Sequence, residues 1–259
     1  MSNVSQLYDT LFSFESRKRK GVYPIHKSLY LDDRYADLLD WLMDQVKFSP
    51  QDRIFDAGCG TGYSLLKLAR NVGVSGKGIS LSKEEVAFAR QQSQQLDLER
   101  QIAFEVASFD NPIAEKYDKV LAIESIKHVG DIEVVLDNLT ESLETEGTLI
   151  IADDFVLEDV NVQLKQHKRF WQVPGFDKRE RMVLCLEQKG FSVKQVDLSS
   201  YVTKRAKWLL STLIFLVGLM LFFSPNQHRL KFEIYLGGLI LEQLYNLRQV
   251  GYFVLIAEK

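Results

Sequence analysis

The stretch IFDAGCGTGYS, residues 54–64, joins an apolar strand to a helix through an aspartate and three alternating glycines, Gly58, Gly60 and Gly62. Glycines at this density let the backbone turn sharply and approach a ligand with no Cβ in the way. A helix starting near Thr61 aims its free N–H groups at the same place. The segment therefore predicts a strand-turn-helix that holds a nucleotide-like molecule. A dinucleotide site has the spacing G-x-G-x-x-G and an acid about 20 residues further on. Here the spacing is G-x-G-x-G, the acid Asp56 precedes the glycines, and residues 77–82 read KGISLS with no acid. A carboxylate at the strand end repels a pyrophosphate and suits an ammonium or a hydroxyl, which points to a cofactor with a cationic amino-acid part.

Working outward, apolar runs and helical patterns alternate. Strands are expected at residues 53–56, 76–79, 102–107, 119–123, 148–152, 191–196 and 252–257. Helices are expected at 7–14, 33–46, 62–70, 82–95, 131–143 and 178–189. This alternation predicts an α/β fold, a doubly wound, seven-stranded Rossmann-like sheet, carrying a helical cap. The expected organisation is a single domain: an N-terminal helical lid over 1–48, a cofactor-binding core over 49–198, and a helical cap inserted at 199–250 before the last strand.

That insertion holds KRAK (204–207), an apolar run from Trp208 to Phe223, and a second helical pattern at 230–247. As a helix the apolar run measures about 24 Å, short of the roughly 20 residues of a spanning helix. Three readings stand side by side: a helix buried in the core, a wall for a greasy substrate, or a peripheral membrane contact through 204–223 helped by Lys204, Arg205 and Lys207.

The composition, 46% hydrophobic and 26% charged over 259 residues, is that of a globular protein with one large core. A net charge of −3 opposes a nucleic-acid partner. The two cysteines, Cys59 and Cys185, give no disulfide pattern, and the N-terminus lacks a basic stretch followed by an apolar run. The expectation is a reduced, cytoplasmic protein, with membrane association and homo-oligomerisation left open.

DAGCGTG (56–62) closely resembles the signature of class I S-adenosylmethionine-dependent methyltransferases. GISLS (78–82) with the following KEEVAFAR, and ESIKHVGD (124–131), resemble a subgroup that includes sterol and tocopherol methyltransferases and cyclopropane fatty-acid synthases. The resemblance covers about residues 7–154. It implies S-adenosylmethionine as cofactor, with its methionine end on the glycine loop. The cofactor contacts it implies are Asp56, Gly58, Gly60, Gly62, Ile79, Ser80, Ser108 and Phe109. Ser80 and Ser108 depart from the acids common at those strand ends.

Glu124 and His128 are four apart and would share a face in a helical turn. His128 can take a proton near neutral pH and Glu124 can stabilise a developing cation. The alternative is that His128 packs at a helix start and Glu124 contacts only cofactor. Looser matches make Tyr8, Tyr23 and His26 a closing segment, beside a surface-loop reading. Trp171 and Trp208 fall in the presumed cap as substrate contacts. The four histidines, at 26, 128, 167 and 228, lack paired zinc spacing, and no metal is expected. Asp153-Asp154 reads as solvated strand-end carboxylates. The implied reaction is methyl transfer to a hydrophobic small molecule: C-methylation of a prenyl, terpenoid, sterol-like or lipid alkene, or N- or O-methylation of an aromatic or alkaloid-like natural product.

Overall fold

The computed structural model describes residues 3–15, 23, 27, 29, 37–158, 162–174 and 179–259. His26 lies outside them. The core is a seven-stranded sheet of β1 (Arg53–Ala57), β2 (Ser75–Ser80), β3 (Ile102–Val106), β4 (Tyr117–Ile123), β5 (Leu143–Val156), β6 (Ser192–Asp197) and β7 (Val250–Glu258). Its order is β3-β2-β1-β4-β5-β7-β6. All pairings are parallel except those of β7, which runs antiparallel to both β5 and β6. The chain reverses direction across the sheet between β1 and β4, where open α/β sheets bind ligands.

The central strands are apolar because both faces are covered. One face packs against α2 (Leu38–Gln45), α3 (Tyr63–Val72), α4 (Lys83–Gln95) and, further along, α6 (Val162–Trp171), α8 (Lys207–Phe223) and α9 (Asn226–Asn246). The other packs against α5 (Ile132–Glu141) and α7 (Arg179–Gln188). Helix starts follow from their caps: Asp37, Ser82 and Asp131 each accept backbone N–H groups of the first turn. α1 (Asn3–Glu15) lies against α4, where the Ser82 hydroxyl donates to Asp9 at 2.6 Å.

The expected alternation of strands and helices is present, with three differences. β5 is longer than its apolar stretch, because Leu143 pairs with Tyr117 ahead of a register shift. α6 had no counterpart in the sequence reading. Its composition is polar and it buries only Leu164 and His167, being held instead by α9. There the His167 Nδ1–H donates to the Gly237 carbonyl at 2.9 Å, and the Trp171 indole N–H donates to the Ile234 carbonyl at 2.9 Å. A Cβ on Gly237 would stand 2.4 Å from Trp171 Cδ1, so only glycine admits this approach.

The third difference concerns the apolar run. α8 buries Leu210, Val217 and Leu221 against the rest of the protein and leaves Trp208, Phe215, Phe222 and Phe223 at least 70% exposed. Its inner face belongs to the core, its outer face does not, and none of its residues lines the cavity at the strand ends. Among the described residues no helix is long and apolar enough to cross a membrane.

Candidate active site

The carboxyl ends of β1, β2 and β4, with the segment after β3, open on one cavity of about 280 Å³. One side is built by the glycine loop. Gly58, Gly60 and Gly62 have φ of 89°, 50° and 79°, a left-handed run that glycine adopts without strain. The N–H groups of Gly58 and Cys59 donate to the Ile79 carbonyl at 3.0 and 2.8 Å, pinning the loop to β2. A Cβ on Gly58 would stand 2.4 Å from the Ser125 Cβ. The loop thus presses on the segment after β4, where Ser125 donates to the Ala57 carbonyl at 2.6 Å.

Asp56 is buried beneath this loop with Oδ2 lacking a partner, and burial pushes its carboxyl up to about 7. Glu85, from the first turn of α4, faces the same cavity. Its Oε2 accepts from the Ser80 hydroxyl at 2.7 Å, its Oε1 lacks a partner, and burial raises it to about 7 as well. Two buried carboxyl groups with orphaned oxygens beside a glycine cradle suit a ligand bearing hydroxyl or ammonium donors. They disfavour a phosphate. The donor set therefore fits S-adenosylmethionine, which the glycine loop, Ser80, Glu85 and Phe109 could hold, with Asp56 behind the loop.

The other side of the cavity carries Tyr8 from α1, Glu124, Lys127 and His128 after β4, and Trp171 from α6. Ile126–His128 forms a single helical turn, but Glu124 precedes it with φ of 54°. The two residues do not share a helical face as expected; they meet because both line one cavity. A left-handed glutamate is strained, which marks a conformation the surroundings impose. Its N–H donates to the Ala152 carbonyl at 2.7 Å, and its Oε1 accepts from the Lys27 N–H at 2.7 Å and the Tyr252 hydroxyl at 3.1 Å.

The Tyr8 hydroxyl and His128 Nε2 are 2.7 Å apart, and His128 Nδ1 is 3.4 Å from the Gln172 carbonyl. A carbonyl only accepts, so Nδ1 carries the hydrogen and Nε2 accepts from Tyr8. Burial, and then the charge of Lys127, lower His128 to about 3, and burial holds the Tyr8 phenol well above its usual range. The imidazole is neutral at pH 7.

Lys127 is the largest surprise. It is buried, with Nζ at 3.0 Å from Asp153, 3.0 Å from Asp154 and 4.0 Å from Glu124. Lys27 pairs with Asp154 at 2.8 Å and Tyr245 donates to the same carboxylate. Burial and the Lys127 charge oppose one another at both aspartates. Asp154 is held low by its two lysines, while Asp153 is pushed up. The expectation that Asp153 and Asp154 are solvated is overturned: both are buried counter-ions of Lys127.

Of the residues expected from sequence, Gly58, Gly60, Ser80, Phe109, Glu124, His128, Tyr8 and Trp171 line the cavity together. Asp56, Gly62 and Ile79 stand behind the loop. Ser108 turns away to donate to Asp110 at 2.7 Å. Tyr23 is buried beside the loop, its carbonyl accepting from the Thr61 hydroxyl at 3.0 Å, without lining the cavity. Trp208 is 73% exposed on the outer face of α8 and does not line the cavity, which removes it from the substrate contacts. Glu85 and Lys127 were missed. Glu85 had a signal in the S-x-x-E capping pattern of residues 82–85, a pattern that accounts for an acid without a ligand. Among the described residues there is no cluster of three or more histidine, cysteine, aspartate or glutamate side chains fit for a metal ion.

Residues 48–207 match the family described as "Methyltransferase domain". An O-methyltransferase of Pyrenophora dematioidea is 30% identical over 167 residues, 62% of this chain and 62% of the relative. O-methyltransferase resE of Aspergillus sclerotiorum is 28% identical over 224 residues, 83% of this chain and 78% of the relative. Among solved structures, the [4+2]-cyclase SpnF superimposes with a TM-score of 0.75 at 18% identity, covering 99% of this chain and 94% of that one. Geranyl diphosphate C-methyltransferase from Streptomyces coelicolor A3(2), in complex with S-adenosyl-L-homocysteine, gives 0.71 at 15%, covering 99% and 96%. At such identities the structures share the fold alone. With the family match spanning more than half of the sequence, and a glycine loop flanked by two orphaned carboxyl groups that suit the cofactor, the chain belongs to the S-adenosylmethionine-dependent methyltransferase family.

Proposed function

We propose that this enzyme methylates a carbon of an alkene in a hydrophobic small molecule, of prenyl, terpenoid, sterol-like or lipid type. Bound S-adenosylmethionine supplies a methyl group activated on a sulfonium. The observation that carries the reading is the neutral, half-buried His128 linked to Tyr8, in a cavity shared with Glu124 and Trp171. When an alkene carbon takes the methyl, a carbocation develops on its neighbour. In this reading Glu124 and the faces of Tyr8 and Trp171, which line the same cavity, stabilise that cation. The cation must then lose a proton. A base lowered to about 3 is weak towards an alcohol but sufficient for a C–H next to a cationic carbon. Tyr8 oxygen accepts that proton as its own passes to His128 Nε2.

In the same reading α1 closes the site as a lid and the α8–α9 hairpin caps it. Val4 and Leu11 on α1, with Ile123 and Trp171, give the apolar lining that a greasy acceptor needs. Catalysis rests on holding two reactants in line within a closed site.

O-methylation is the second reading, favoured by the O-methyltransferase relatives. There Lys127 would stabilise the alkoxide or phenolate left when an alcohol or phenol gives up its proton through Tyr8. Incubation with methyl-labelled cofactor, against alkene-bearing prenyl and sterol compounds and against phenols, alcohols and amines, decides between them. Magnetic resonance of the product locates the label. Label on carbon supports the proposal; label on oxygen or nitrogen only would replace it.

A further inference from the structure

Among the described residues nothing covers the exposed face of α8. Trp208, Thr212, Phe215, Leu219 and Phe223 recur at helical spacing and form one outward stripe over the 17 residues of the helix. At 1.5 Å per residue the stripe is about 25 Å long. Phe215, Phe222 and Phe223 are 70%, 79% and 73% exposed, an apolar surface that soluble faces of proteins rarely carry. Charge distinguishes the candidate occupants. Between Asp197 and Glu233 there is no aspartate or glutamate, whereas Lys204, Arg205, Lys207, Arg229 and Lys231 all fall there, in a chain of net charge −3. The basic residues flank both ends of α8. Arg205 and Arg229 are paired with Glu242 and Glu233 on α9, while Lys204 and Lys207 stand exposed beside Trp208. A second copy docked through this face would bring like charges together. An anionic bilayer would meet lysines at its headgroups and aromatic rings at its acyl boundary.

We propose that α8 lies in the surface of an anionic lipid membrane, its Trp208–Phe223 stripe immersed at the headgroup–acyl boundary and parallel to the bilayer plane. The helix is too short to span, and its buried face stays on α9 through Leu210, Val217 and Leu221. α9 in turn presses Gly237 on Trp171, a cavity residue, so the docked surface lies one helix away from the candidate active site. The proposal stands apart from the choice of methyl acceptor, because its readout is binding to lipid and not turnover.

Flotation of the full chain with phosphatidylcholine vesicles, with and without about one-third phosphatidylserine, tests it. Binding at least about tenfold stronger to the anionic vesicles, weakening as salt is raised, is expected. The triple variant Phe215→Ser/Leu219→Ser/Phe223→Ser changes only exposed positions. It should lose at least about tenfold of that binding while keeping the wild-type thermal shift with S-adenosylmethionine. Trp208, left in place, should be quenched by lipids brominated along the acyl chain. A wild-type chain that stays in the soluble fraction with both vesicles overturns the proposal. So does equal binding by the triple variant. A chain that ignores vesicles and sediments as a dimer, reverting to monomer in the triple variant, assigns the face to a second copy instead.

Discussion

The Tyr8 hydroxyl donates to Nε2 of His128 across 2.7 Å, joining the first helix to the turn after the fourth strand, 120 positions away in the chain. The Gln172 carbonyl sets the tautomer of the candidate base at Nδ1, and Tyr8 ties α1 to its other nitrogen. Tyr8→Phe keeps the ring and removes the proton path. It should lower kcat by about 10²-fold and leave the affinity for S-adenosylmethionine within about a factor of two. Single-turnover methyl transfer combined with calorimetry separates the two effects; an unchanged kcat would remove Tyr8 from the chemistry.

Glu85 supplies the acid that the end of β2 lacks. Glu85→Ala should weaken S-adenosylmethionine binding by about tenfold or more, the loss of a hydrogen bond to a charged group being about 1.5–3 kcal/mol. Glu85→Gln retains an acceptor and should recover most of it. Equal affinity in all three proteins, measured by titration calorimetry, would place the cofactor elsewhere.

Asp56 makes the cofactor-free protein sensitive to pH in a defined direction. Its carboxyl is raised to about 7 by burial, against about 3.8 when unfolded. Between these values the folded chain retains a proton that the unfolded chain has released, so stability falls as pH rises through the window. Asp56→Asn removes this dependence. The stability difference between variant and wild type, from denaturant titrations at pH 4 and pH 7.5, should shift in favour of the variant by one to a few kcal/mol on the order of the linkage for such a shift. A constant difference would contradict a buried, unpaired Asp56.

Lys127 holds Asp153, Asp154 and Glu124 together. Lys127→Met leaves buried carboxylates short of a counter-ion and should cost about 3–5 kcal/mol. For a chain of this size that is a fall in Tm on the order of 10 °C. Thermal unfolding with no change in Tm would mean that water reaches this cluster.

Much of the sheet and the glycine loop was legible in the sequence because the signals are local: apolar runs for doubly covered strands and glycines at a tight turn. What was not legible depends on distant partners. α6 carries few apolar side chains, and its place is fixed by Gly237 and Ile234 of α9 receiving His167 and Trp171. Asp153 and Asp154 read as solvated acids until β5 brings Lys127 beside them. α8 is apolar all round, so no periodicity revealed which face would be buried. The candidate site was half legible for the same reason: Glu124 and His128 sit in a motif, whereas Glu85 hides in a capping pattern and Lys127 in an ordinary-looking turn. The shared fold of the cyclase SpnF is a reminder that such a sheet does not fix the reaction, which rests on these side chains.

The antiparallel β7 has a consequence for how such enzymes diversify. Asp197, the last residue of β6, lies opposite Phe253 of β7. The chain thus leaves the sheet on the strand that neighbours the one by which it returns, the two strands being roughly 5 Å apart in the hydrogen-bonding direction. A tight turn would have closed that gap; here two helices do. The inserted segment is not an appendage: its second helix enters the core, where Tyr245 donates to Asp154 and the Gly237 and Ile234 carbonyls receive His167 and Trp171, while the outer face of α8 bears on none of these contacts. Exchanging only the exposed residues of α8 should therefore transfer surface behaviour and leave the interior contacts in place.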